Sequence, residues 1–162
     1  MGSGVRGNFG KTKGSISLAA NKNSNVITIK LLSSADKSVK IKAEKAPIKI
    51  PQNAIYEVQH KKGYDQIKYK YSRGKKDYEV RWHTQTPNAP SGTGSTYQIT
   101  RTKKGFGYGA NASQRVIDHM IKYPSGKTIW VSDKTYQNAL RNNKMGKATK
   151  KEKEIVKYGH IK

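Results

Sequence analysis

Arg81, His83 and Arg101 are the residues most able to do chemistry in this chain. They bracket RWHTQTPNAPSGTGSTYQITR, a stretch in which an Arg-Trp-His strand end meets a loop of Thr, Pro, Gly and Ser and then a second strand ending in Arg. An imidazole that titrates near neutrality can take or give a proton, and a guanidinium can hold a phosphoryl oxygen pair with its fork of N–H donors. Together these groups suit cleavage of a phosphodiester by an adjacent hydroxyl, a reaction that needs a base, an acid and cations and no cofactor.

His83 is the first candidate base or acid. His160, in Tyr-Gly-His after the last predicted helix, or His60, in His-Lys-Lys before the hairpin, would be its counterpart. His119 ranks last, beside an apolar stripe. Arginine is scarce, 6 residues against 27 lysines, so Arg81 and Arg101 stand where a default lysine has been passed over. Among the loop and strand hydroxyls, Thr86 and Thr100 are the two to watch. Lys68 and Lys70 fit backbone contacts, and Tyr97 could stack on a base.

The elements that must position these residues are mostly strands. Fourteen Ile, eight Val and ten Tyr against four Leu favour a pleated surface. Val26–Leu32 and Val39–Ile50 alternate apolar residues with Lys or Thr and predict strands. Ile67, Tyr69 and Tyr71 share a face, SRGKKD turns the chain, and Tyr78, Val80 and Trp82 resume that face. Glu79, Arg81 and His83 then point the other way with Lys68 and Lys70, a hairpin with a cationic face. A third strand, Thr96–Thr102, has an open register. If Ile99 is core, Arg101 reaches the site only from the strand end or past a bulge.

Further along, Ser113 predicts an N-cap for a helix carrying Val116, Ile117, Met120 and Ile121, stopped by Pro124. Thr128–Val131 predicts a strand. Ser132 caps a helix with Tyr136 and Leu140, and Thr149-Lys-Lys-Glu152 is a capping box opening a helix that ends near Gly159. The sum is an α+β domain with an antiparallel sheet and short helices, spanning 26–162 behind a Gly/Ser/Asn/Lys-rich tail or linker over 1–25.

Composition narrows the function classes. A chain of 162 residues fits one domain, and a net charge of +23 (33 Lys and Arg against 10 Asp and Glu) attracts polyanions by counterion release. The absence of cysteine removes disulfides, thiolate metal sites and thiol nucleophiles. No run of 18 apolar residues predicts a membrane span. Carboxylates are scattered, without the clusters a metal-dependent nuclease would use, so no metal and no cofactor is expected. Glu152-Lys-Glu154 with Ser95-Thr96 has the outline of an ADP-ribosyltransferase signature, but those glutamates fall inside the capping-box helix. Gly105–Gly109 lacks the spacing of a phosphate loop.

YEVRWHTQTPNAPSGTGSTYQITR, with the distal WVSDKTYQNAL and GKATKKEKEIVKYGH, resembles C-terminal toxin domains of bacterial polymorphic (contact-dependent inhibition) toxin systems over roughly residues 56–162. The resemblance implies a ribonuclease of the barnase, EndoU, colicin and RelE-like fold, with Arg81, His83 and Arg101 on the sheet face. It implies export within a larger protein, action on RNA (tRNA foremost) in a target-cell cytoplasm, and an acidic immunity protein as partner. A monomer is expected. The alternatives are a non-catalytic nucleic-acid-binding module and a metal-dependent deoxyribonuclease. The chain departs from that fold by predicting strands, rather than helices, ahead of the hairpin.

Overall fold

The computed structural model describes residues 15–19, 26–87, 89–104 and 115–162. These residues form an α+β fold: one antiparallel sheet of eight strands in sequential order, with short helices on both faces. The strands are β1 (Ser15–Ala19), β2 (Val26–Leu31), β3 (Ile55–Lys61), β4 (Tyr64–Arg73), β5 (Lys76–His83), β6 (Thr96–Lys104), β7 (Arg115–Lys122) and β8 (Thr128–Ser132). Helix α1 (Lys37–Glu44) lies between β2 and β3; α2 (Asp133–Lys144) and α3 (Lys150–Gly159) follow β8. Because each strand pairs with the next, short turns suffice between β3 and β4, β4 and β5, and β7 and β8. Gly63 and Gly74 make the two tightest, each with a positive φ that other residues adopt at a cost.

Strand parity divides the side chains between two faces. On the first, Ile67, Tyr69, Val80, Tyr97 and Ile99 join Val39 and Ala43 of α1 in the main core. Val80 and Ile99 are 0% and 1% exposed, and burial of each contributes about 1.5–3 kcal/mol. On the second face Ile121 meets Tyr136 and Ala139 of α2 and Ile155 of α3 in a smaller core over the β6–β8 side. Among the described residues, the half of this second face built from β2 to β5 has no helix packed on it to a comparable extent.

The hairpin β4–β5, strand β6, strand β8 and both C-terminal caps follow the sequence pattern. Ser132 accepts from the Thr135 amide, and Thr149 and Glu152 form the reciprocal capping box. Three elements differ. Residues 37–44, which overlap the predicted strand Val39–Ile50, are helix α1: Val39 and Ala43, four apart, are its buried positions, and the intervening lysines only imitate alternation. The predicted helix through Val116 and Ile121 is strand β7, because both of its faces carry apolar residues and so no alternation shows. Ser113, its expected cap, lies outside the described residues. Ser15–Ala19, within the expected tail, pairs with β2 as the edge strand β1. Among the described residues no helix is long and apolar enough to cross a membrane.

Candidate active site

Strand β7 accompanies β6 only from Thr100 onward, which leaves the start of β6 without a partner on that side. The chain end fills the gap. Tyr97 and Ile161 exchange backbone hydrogen bonds of 2.6 and 2.8 Å, and the Ile161 side chain joins the main core. One residue earlier, His160 is therefore turned to the second face, beside Gln98 of β6 and His83 of β5.

His83 lies directly across from Gln66 of β4 and Thr96 of β6; its neighbour on the same face, Arg81, lies across from Lys68 and Gln98. The His83 and His160 rings are 6.3 Å apart, edge to face. Each is anchored through Nδ1, which donates to a backbone carbonyl: Thr84 at 3.0 Å for His83 and Val156 at 2.7 Å for His160. That fixes the Nε2 atoms as acceptors. Thr96 Oγ1 donates to the first at 3.3 Å, and the Gln98 amide donates to the second at 2.9 Å. Burial lowers the His83 pKa; the Thr84 carbonyl opposes this, and His160 and Arg81 add to it. His83 is accordingly neutral at pH 7, the form that can accept a proton. Tyr64 stands edge-on to its ring at 6.2 Å.

Behind this pair lies a second polar layer. Gln98 Nε2 also donates to the Tyr136 hydroxyl at 3.3 Å, and the Tyr136 ring stacks on His119 at 4.1 Å. His119 Nε2 donates to Asp133 at 2.7 Å. Burial pushes the Tyr136 hydroxyl up to about 12, against the opposing pull of Arg81 and Gln98. Burial likewise lowers His119 more than the Asp133 carboxylate raises it. Arg81 thus faces His83, His119 and Tyr136 together. Its Nε lies 3.4 Å from Glu79, an ion pair without hydrogen-bond geometry, so a buried N–H is left with no hydrogen-bond partner among the described residues.

Of the residues singled out from sequence, His83, Arg81, His160, Thr100, Lys68 and Lys70 share this face. Thr100 sits between Glu79 and His119, and Lys70 lies across from Glu79. Arg101 does not join them. It occupies the opposite face, its guanidinium 4.0 Å over the Trp130 ring and 3.4 Å from Asp118, because Ile99 is core and no bulge intervenes. Tyr97 is buried on that same face, its hydroxyl donating to the Lys42 carbonyl at 2.6 Å, and is closed to a stacking base. His60 is exposed at the end of β3, on the opposite face from His83, with Asp65 at 2.8 Å. Thr86 lies in the loop beyond β5, where its carbonyl accepts from Ala89.

Gln98, Tyr136 and Asp133 carry no mark of a role in the sequence, and His119 ranks last among the histidines there. Parity would have placed Gln98 beside Arg81, whereas nothing local marks Tyr136 as more than the apolar stripe of its helix. Among the described residues no three His, Cys, Asp or Glu side chains converge as metal ligands. Comparison of the chain with protein-family models, with curated proteins and with solved structures finds no match.

Proposed function

We propose that the domain is an endoribonuclease that works without a metal ion, by attack of a 2′-hydroxyl on the adjacent phosphate to leave a 2′,3′-cyclic end. The observation that carries this reading is the meeting of His83 and His160, each held through Nδ1 with Nε2 engaged only by a neutral hydroxyl or amide among the described residues, beside an Arg81 Nε–H that Glu79 approaches at 3.4 Å without a hydrogen bond. Two imidazoles this close, at 6.3 Å between ring centroids, can serve as base and acid on one phosphodiester. Neutral His83 would take the 2′-hydroxyl proton once the Thr96 hydroxyl turns away. His160, protonated, would have the Gln98 amide turned so that its oxygen accepts from Nε2–H; it would give that proton to the leaving oxygen, and the amide would return to donating to the bare Nε2. Arg81 would bind the charge that develops on the phosphoryl oxygens.

The net charge of +23 supplies attraction to RNA of any sequence. The resemblance to polymorphic toxin domains extends the proposal to delivery into a competing bacterium, tRNA as foremost target, a related ribonuclease fold and an acidic immunity protein. Total bacterial RNA incubated with the purified domain in excess EDTA should give discrete fragments with cyclic phosphate ends. His83→Ala should lower the rate about 100-fold or more; survival of the activity within a few-fold would refute the role given to His83. Its 7% exposure favours a second reading, a non-catalytic nucleic-acid-binding face, under which RNA stays intact while affinity falls steeply with salt.

A further inference from the structure

The second face of the sheet continues past Arg81 into a groove of about 290 Å3 over β2, β3 and β4, lined by Ile29, Ile55, Glu57, Lys68 and Lys70, with Lys30 at its rim. Its chemistry is mixed in a particular way. The floor is apolar, from Ile29 and Ile55, and Lys68 and Lys70 flank it, while Lys30, across from Tyr56, belongs by register to the opposite face. None of Lys30, Lys68 and Lys70 has a carboxylate within ion-pair distance among the described residues. One carboxylate, Glu57, stands in the groove wall. It is exposed, and only its Oε1 is engaged, by Gln59 Nε2 at 2.8 Å.

We infer that this groove is a subsite for one unpaired nucleotide flanking the phosphate held at Arg81, with Lys68 and Lys70 on the backbone, the base on Ile29 and Ile55, and the free oxygen of Glu57 accepting from an exocyclic amine. The inference rests on the ribonuclease reading only for the nature of the ligand, a polynucleotide. Register supplies the path. Arg81, Lys68 and Glu57 are directly across from one another on β5, β4 and β3, and neighbouring strands lie about 4.8 Å apart, so the track crosses roughly 10 Å from Arg81 to Glu57. An apolar floor flanked by cations accepts a base face beside its phosphates, which only a single strand can present. An ionised carboxylate is acceptor only, so it favours cytosine or adenine, whose amino groups donate, over uracil, which offers a carbonyl oxygen at the corresponding position.

The test uses short 2′-O-methyl oligoribonucleotides, which lack the attacking hydroxyl and so report binding alone, read by fluorescence anisotropy across a salt series. The full chain should bind oligo-C and oligo-A about tenfold more tightly than oligo-U. Glu57→Ala should erase that preference without changing the salt slope. Lys68→Ala with Lys70→Ala should flatten the slope of log affinity against log salt by about 1.4, two contacts at 0.7 each, and keep the preference. Equal affinity for all three oligomers, or a slope that the lysine changes leave untouched, overturns the subsite. Cleavage of natural RNA is followed in parallel. Groove-dependent binding without cleavage would sink the nuclease reading and keep the subsite, whereas cleavage with groove-independent binding would do the reverse.

Discussion

Arg81 and Arg101 bracket the same loop, yet they finish on opposite faces of one sheet in opposite states. Arg101 is spent: its guanidinium lies on Trp130 at 4.0 Å and meets Asp118 at 3.4 Å, closing the end of the main core. Arg81 shares its face with His83, His119 and Tyr136; Glu79 lies 3.4 Å from its Nε, as Asp118 does from that of Arg101, but the buried Nε–H makes no hydrogen bond among the described residues. A buried donor without a hydrogen bond costs about 1–3 kcal/mol, which the Glu79 carboxylate at 3.4 Å offsets only in part, and a phosphoryl oxygen would supply the missing acceptor. The difference teaches that scarcity of arginine marks positions of consequence, while strand parity alone decides whether the consequence is structural or chemical.

That contrast breaks most sharply under parallel substitution. Arg81→Ala should lower RNA cleavage about 100-fold, the usual cost of one donor aimed at developing charge, with little loss of stability. Arg101→Ala should leave cleavage within about threefold and cost the fold about 1 kcal/mol through the lost stacking on Trp130. Initial rates on one RNA substrate, beside urea denaturation of both variants, check the pair. Equal losses of activity would erase the distinction between the two faces.

Gly159 sharpens the comparison from the helical side. It closes α3 just before His160, and a Cβ built there comes within 2.7 Å of Tyr136 Cε1 and 3.2 Å of Ile121 Cδ1. The Tyr136 ring cannot give way easily, since His119 is stacked on it. In an open helix, replacing glycine by alanine gains about 0.8–1 kcal/mol. Here Gly159→Ala should instead destabilise by about 1–3 kcal/mol, the cost of overpacking, and should shift His160 and slow cleavage several-fold. Denaturant midpoints decide the sign: a stabilised variant would mean that α3 is not pressed against this face.

How much of this was legible depended on whether one face of an element was wet. The hairpin of β4 and β5 could be read because Lys68, Lys70, Glu79 and Arg81 break the apolar run at every second position. Strand β7 could not, because Val116, Asp118 and Met120 share one face and Ile117, His119 and Ile121 the other, which also satisfies helical spacing. Helix α1 failed in the opposite sense, its lysines falling between apolar residues as in a half-wet strand. For the site, His83 and Arg81 followed from parity, and parity with a buried Ile99 also forbade Arg101. The Gln98–His160 and Gln98–Tyr136 bonds join residues distant in sequence and needed the Tyr97–Ile161 bridge, which leaves no local pattern.

The two arginines should differ finally in how acid unfolds the protein. Burial holds His83 and His119 below the ordinary value of 6.5, and the charge of Arg81 adds to both shifts. An unfolded chain binds protons at these positions as pH falls through 6.5, while the folded chain still refuses them. Proton uptake therefore favours unfolding, so stability is full above pH 6.5 and declines below it. Asp133 contributes in a separate window. Its carboxyl is lowered by the His119 hydrogen bond, so its share of stability is present above its ordinary 3.8 and is lost as pH falls through its lower folded value. Melting temperatures should accordingly fall between pH 7.5 and pH 5, and His83→Gln with His119→Gln should flatten that fall. Arg81→Ala should flatten it in part, because without the guanidinium both imidazoles accept protons more readily in the folded state. Arg101→Ala should lower the melting temperature by the same amount at both pH values, since its charge faces Trp130 and Asp118 instead. A pH slope equally insensitive to both arginines would mean that Arg81 does not set the charge state of this face, and would remove the electrostatic half of the distinction between them.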